Sequence, residues 1–138
     1  MSYKTLRAWL ESAQPFGLLL LRLGIGLMFV VVHGWPKISG GVETWERLGL
    51  NVGITLVPAF WGFLAAASEF VGGLCLITGI LFRPACALLA ATMAGAVIYN
   101  FRLGQGLASH PFEIGLLFVS LFWIGPGPWT LSALLKRK

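Results

Sequence analysis

From Phe16 to Trp35 the chain runs as one apolar stretch that carries an arginine, Arg22, in its interior and a histidine, His33, near its far end. No other feature constrains the fold as much. About 20 apolar residues are what a helix needs to cross a bilayer, and an arginine there is tolerated only where protein or an internal cavity receives it. Counted at about 100° per residue, the steps from Arg22 to His33 end about 20° past three full turns. Both residues therefore share one face, on the order of 16 Å apart along the axis. Gly26 sits on the same stripe and leaves room for a neighbouring helix. That face must meet protein, and the remaining spans read as what it meets.

Composition agrees with a membrane setting. Of 138 residues, 57% are hydrophobic and only 11% charged, against roughly 45–50% and about 25% in ordinary soluble domains. The expectation is an all-α integral membrane protein, residues 1–138 forming a single membrane domain. A net charge of +5 would suggest nucleic acid in a soluble chain. Here the basic residues cluster at the ends and turns, which points to membrane lipids as the partner and to no nucleic acid. Cys75 and Cys86 fall inside apolar segments without a CxxC spacing and read as small core residues.

In chain order, Met1 to Gln14 places Lys4, Arg7 and Glu11 around Leu6, Trp9 and Leu10, an amphipathic interfacial segment leading to Pro15. The apolar run that follows is too long for a signal peptide, contains Arg22 and ends in His-Gly-Trp-Pro-Lys rather than a cleavage site. It is a retained first span, 16–35. Val42, Trp45 and Leu48 fall at helical spacing in the first loop and predict a short interfacial helix lying on the membrane. Further spans are expected at 59–82, 85–101 and 112–124, giving a four-transmembrane-helix bundle. The last is short, and Gly125-Pro126-Gly127-Pro128 must break or kink it. Lys4, Arg7, Arg83 and the tail Lys136-Arg137-Lys138 then share one side, which puts both termini in the cytoplasm.

Small residues suggest how the spans pack. Ala87, Ala91 and Gly95 recur at four-residue steps on the third span, a face for helix packing inside the bundle or for a partner subunit or homo-oligomer. On the second span Gly62, Ala65, Gly72 and Gly73 flank Glu69 and form a groove in which the first helix can sit. Counting from the outer ends of the two spans places Arg22 and Glu69 within about one turn of the same depth. Opposite charges at that depth are expected to pair. Such a pair either fixes register or lines a cavity. Near the outer boundary, His33 and Glu113 also reach a common depth, with Lys37 and His110 close by. A proton relay and a plain interfacial hydrogen bond both fit that second cluster.

Several chemistries find no support. Two histidines and no thiolate cluster give no metal or haem site. No phosphate-cradling glycine loop, nucleophile elbow or aspartate of any kind is present. Catalysis by this chain alone is not expected.

In combination these residues resemble the DoxX family of small four-span membrane proteins. The resemblance rests on Arg22-Leu-Gly-Ile-Gly26 with Phe29, then His33-Gly34 and Lys37. It continues through Glu69, Gly72-Gly73, Leu76, Gly79 and Arg83-Pro84-Ala85 to Gly125-Pro126-Gly127, covering Leu18 to Leu131. It implies a multi-pass four-helix bundle in a prokaryotic cytoplasmic (inner) membrane. It also implies association with membrane oxidoreductase complexes, a quinone being the possible cofactor, since the family takes its name from a subunit tied to thiosulfate:quinone oxidoreductase. The chain has no room for the extra domain of the sulfur-oxidising fusions. Arg22, His33, Lys37 and Glu69 are the positions on which a shared site would fall. Alternatives are a small-molecule binding or transport protein, and a structural scaffold.

Overall fold

A computed structural model describes residues 2–106 and 109–136. Met1, Arg137 and Lys138 lie outside the described residues, so the basic tail is represented by Lys136 alone. Helix α1 spans Tyr3–Met28, passes without a break into a π-helical segment at Phe29–Gly34, and continues as α2, Trp35–Ser39. Then follow α3 (Gly41–Asn51), α4 (Pro58–Thr78), α5 (Phe82–Arg102), α6 (His110–Ile124) and a short α7 (Leu131–Leu135). Every regular element among the described residues is helical.

Three stretches are long and apolar enough to cross a membrane: Tyr3–Ser39, Pro58–Thr78 and Phe82–Arg102. Helix α6 is apolar but shorter, with 15 residues. The first helix departs most from expectation. Pro15 does not end it, because a proline breaks a helix only where the turn cannot be re-satisfied, and here the rod runs through. Nor does the span stop at Trp35. Pro36 lies just beyond the π-helical segment, and the helix runs through it as it runs through Pro15. The result is a continuous helix of 37 residues, about 55 Å long at 1.5 Å per residue.

The core is one cluster of Phe29, Leu76, Phe82, Cys86, Leu89, Met93, Phe118 and Leu121, drawn from the first helix, α4, α5 and α6. Cys86 belongs to it, as expected, and Cys75 is half-buried; both are free thiols. The Phe29 ring meets Phe118 edge-on at 5.0 Å between centroids. Glycines set the closest approaches. A Cβ on Gly26 would lie 2.8 Å from the Gly73 carbonyl oxygen, and one on Gly34 would lie 2.6 Å from the Phe70 backbone. The first helix and α4 therefore touch backbone to backbone along their antiparallel length.

Helix α3 does not stand apart. A Cβ on Gly62 would run into the Trp45 carbonyl and one on Gly49 into the Pro58 carbonyl, so α3 is docked along the first half of α4. The small residues of α4 thus serve three neighbours rather than one: Gly73 faces the first helix, Gly72 faces Leu89 of α5, and Gly62 faces α3. The small stripe of α5 is not used for packing inside the bundle, the first of the two roles expected of it. Its core face is Ala85, Cys86, Leu89 and Met93, whereas Ala87 and Ala91 are exposed and Gly95 half-buried, touched only by Val52.

Candidate functional site

The expected pairing of Arg22 with Glu69 does not form. Arg22 is 1% exposed, and its guanidinium is spent on main-chain carbonyls. Nε donates to Leu76 O at 3.0 Å and Nη2 to Ile77 O at 3.1 Å; Nη1 donates to Pro126 O and, at 3.1 Å, to Trp129 O. The first two acceptors are among the last carbonyls of α4, which no helical N–H reaches and where the dipole favours a cation. The other two come from the Gly125–Trp129 break between α6 and α7. Phe82 adds its ring face at 5.5 Å from the guanidinium carbon. Gly79 ends α4 at φ 73°, and a Cβ there would stand 2.7 Å from Arg22 Nη2. Arg22 is a clasp: it joins α1, the end of α4 and the α6–α7 connection without any carboxylate.

Glu69 lies seven residues before Leu76 on α4, about 10 Å away along the axis. Its partner is Lys37. The Lys37 ammonium donates to both carboxylate oxygens at 2.6 Å, with the carboxylate 2% and the lysine side chain 31% exposed. Depth counting failed because it began from Trp35 and Ala59. The helix continues past Trp35, and docking of α3 carries the start of α4 beyond that level, so Glu69 faces α2 rather than the middle of α1. Trp45 braces the pair from α3, its indole N–H donating to the Lys37 carbonyl at 2.9 Å.

The π-helical segment leads directly into this site. Trp35 N–H donates to Val30 O, five residues back, in place of the four of an α-helix. Such turns are rare and concentrate at functional sites. Within it the His33 ring packs on Phe29 at 5.0 Å between centroids. His33 is half-buried, one helical turn before Lys37, and it lies within Coulombic reach of Glu69, Lys37 and His110. The expected His33–Glu113 contact is not made. Glu113 instead stands 3.9 Å from His110 on the exposed first turn of α6.

Lys37 and Glu69 open into a cavity of about 490 Å³ between α3, α4 and α5. Its walls are mainly apolar, built from residues such as Val52, Leu64, Ala65, Leu88 and Ala91. Ser68, Thr92, Asn51 and Tyr99 supply further polar atoms. The Ser68 and Thr92 hydroxyls are turned back on their own helices, to Leu64 O and Leu88 O. Gly62, Ala91 and Gly95, expected as packing residues, line this space. Volume and lining fit a small amphipathic molecule, because ligand sites measure roughly 300–1,000 Å³ and pair apolar walls with a few placed polar groups. Sequence reasoning missed Tyr99, Thr92, Ser68 and Asn51. Single polar residues inside apolar helices carry no signal until the helices are set against one another. Among the described residues no group of three or more His, Cys, Asp or Glu side chains is placed to hold a metal ion.

Comparison with known proteins agrees with the fold. Inner membrane protein YqjF of Escherichia coli (strain K12) is 28% identical over 94% of this chain and 99% of its own length. CatD of Bacillus subtilis (strain 168), whose name gives it provisionally as an oxidoreductase, is 32% identical over 81% of this chain and 80% of its own. An uncharacterized membrane protein of Mycobacterium tuberculosis is 27% identical over 94% of this chain and 87% of its own. No solved structure matches. The DoxX family matches residues 17–101, the stretch that holds Arg22 and its two acceptors on α4, the π-helical segment, the Lys37–Glu69 pair and the cavity wall. The chain is a membrane protein of the DoxX family.

Proposed function

We propose that this chain is an accessory, quinone-facing subunit of a prokaryotic membrane oxidoreductase complex. It crosses the cytoplasmic membrane four times, with α6 as the fourth crossing and both termini cytoplasmic. The observation that carries the reading is the ion pair at the cavity wall: a buried carboxylate, bonded to a lysine, facing an apolar space of ring size. A quinone headgroup suits that chemistry. Ala65, Ala91 and Gly95 would receive its ring, and Lys37 and Tyr99 would donate to its oxygens. When bound, a quinone supplies the two-electron, two-proton chemistry, and a partner subunit supplies the redox centre with which it exchanges electrons. The provisional oxidoreductase name of the relative CatD points the same way.

The protein reconstituted in nanodiscs, titrated with a short-chain ubiquinone, tests this. Trp61 lines the cavity, so its fluorescence reports occupancy. Saturable quenching is expected, weakened at least tenfold by Glu69→Gln with helicity unchanged. Quenching that never saturates, or that ignores Glu69, removes the quinone. Saturable binding of other small amphiphiles alone favours a binding or transport role. Native mass spectrometry of protein gently extracted from its own membrane tests for the partner subunit, and a bare monomer or homo-oligomer argues against it.

A further inference from the structure

Around the cavity carboxylate the titratable groups are arranged in sequence toward the surface. Lys37 on α2 bonds both oxygens of Glu69 on α4 at 2.6 Å. His33 precedes Lys37 by one helical turn, so the two side chains are neighbours, with Cβ atoms about 5–6 Å apart. The His33 ring is fixed by Phe29, itself set edge-on against Phe118 of α6, so it is held on the side of the first helix that faces α6. At the start of α6, His110 and Glu113 stand 3.9 Å apart with side chains 71% and 76% exposed. His33 does not line the cavity, whereas Lys37 and Glu69 do. Lys37 thus stands between the cavity carboxylate and the His33 ring along the first helix.

From this arrangement we infer that His33 and Lys37 form a proton path joining Glu69 to water at the His110–Glu113 end of α6. The inference uses the same ion pair as the proposed function but does not depend on a quinone. The step balances without a redox partner. A proton from water, taken up at His110 or Glu113, passes to the His33 imidazole and makes it imidazolium. The Lys37 ammonium gives one proton along its 2.6 Å bond to the Glu69 carboxylate, and His33 returns a proton to the lysine amine. His33 ends neutral, Lys37 ends as ammonium, and Glu69 ends as a neutral acid able to donate into the cavity. One proton has moved inward and no other bond has changed. Histidine suits the middle position because it changes charge near neutral pH.

The geometry also explains the π-helical segment. Phe29 and His33 both lie within it, and its wider turn holds the imidazole against the core while Lys37 still reaches α4. A histidine serving only as packing needs neither a lysine one turn away nor a second histidine beyond.

The test follows the carboxyl band of Glu69 by time-resolved infrared spectroscopy after a drop in pH, on the whole protein in nanodiscs without quinone. Glu69→Gln identifies the band. Wild type is expected to protonate Glu69 at least tenfold faster than His33→Phe, a substitution that keeps the aromatic contact with Phe29. Glu113→Gln combined with His110→Gln, both at exposed positions, should slow the step about threefold or more. Equal rates in wild type and His33→Phe overturn the inference. If His33→Phe fails to fold, the surface double variant decides alone, and an unchanged rate in it overturns the path. A His33-dependent rate in protein that shows no saturable quinone binding keeps the path and removes the quinone, so the two failures are distinguishable.

Discussion

Arg22 and Glu69 are alike in sequence: each is an isolated charge within an apolar helix. The fold treats them in opposite ways. Arg22 is closed off, buried and with its guanidinium shared among four carbonyls from two parts of the chain, the end of α4 and the α6–α7 connection. Glu69 has one charged partner, Lys37, and an open cavity beside it. A buried charge whose donors are all committed to main chain can only hold. A buried charge held by one titratable side chain at the edge of a cavity can exchange. The number and kind of partners, rather than burial, separates a locked charge from an exchangeable one in this protein.

The comparison breaks most directly at Arg22. Arg22→Met leaves four carbonyls, one buried and three partly buried, without that donor. At about 1–3 kcal/mol for each group left unpaired, unfolding in detergent should show a loss of about 2–6 kcal/mol even if half of them find water. Arg22→Lys should recover only part of it, since an ammonium cannot reproduce the fork. A cavity ligand should still bind whichever of these variants folds. A folded Arg22 variant that loses binding would merge the two sites into one.

Gly79→Ala tests the clasp without touching a charge. A side chain is strained at φ 73°, and its Cβ would also stand 2.6 Å from Thr130 and 2.7 Å from Arg22. A destabilisation of about 1–3 kcal/mol is expected, measured by the same unfolding assay. Glu69→Gln should lie below that in stability, about 1 kcal/mol or less, because Lys37 is one-third exposed and can turn its ammonium to water. Its ligand affinity should nonetheless fall at least tenfold. A Glu69→Gln loss as large as that of Arg22→Met would mark the ion pair as a second clasp. The mildest change is Gly95→Leu. A Cβ there meets only Val52, at 3.6 Å, so stability should stay within about 0.5 kcal/mol, while binding weakens because the side chain occupies the cavity. Unchanged binding in this variant would place the ligand elsewhere.

Much of this architecture was legible beforehand. The apolar runs, the helix in the first loop and the break at Gly125–Pro128 follow from hydropathy and from the placing of glycine and proline, and the burial of Arg22 and Glu69 follows from their lying within apolar helices. The pairing did not follow, for two reasons. Main-chain carbonyls leave no mark in a sequence, so the end of α4 and the Gly-Pro-Gly-Pro turn could not be seen as acceptors strong enough to receive an arginine. Depth, moreover, was counted on the assumption that each helix stops where its apolar run stops, whereas the first helix continues through His33, Trp35 and Pro36. The small residues of α5 were misjudged for a related reason: Ala91 and Gly95 look the same whether they admit a helix or leave a cavity.

The π-helical segment also divides the first helix by rotational phase. Residues before Phe29 are indexed to α4 in one setting, in which Arg22 and Gly26 face it. Residues after Gly34 are indexed in another, set back by the wider turn, in which Lys37 faces it. Winding the same six residues as ordinary α-helix, with none deleted, would swing everything beyond them by about 100°. Lys37 would leave Glu69 while the Arg22 clasp stayed in register. The chain thus keeps its anchor and its exchangeable pair on a single rod yet lets each be altered without moving the other.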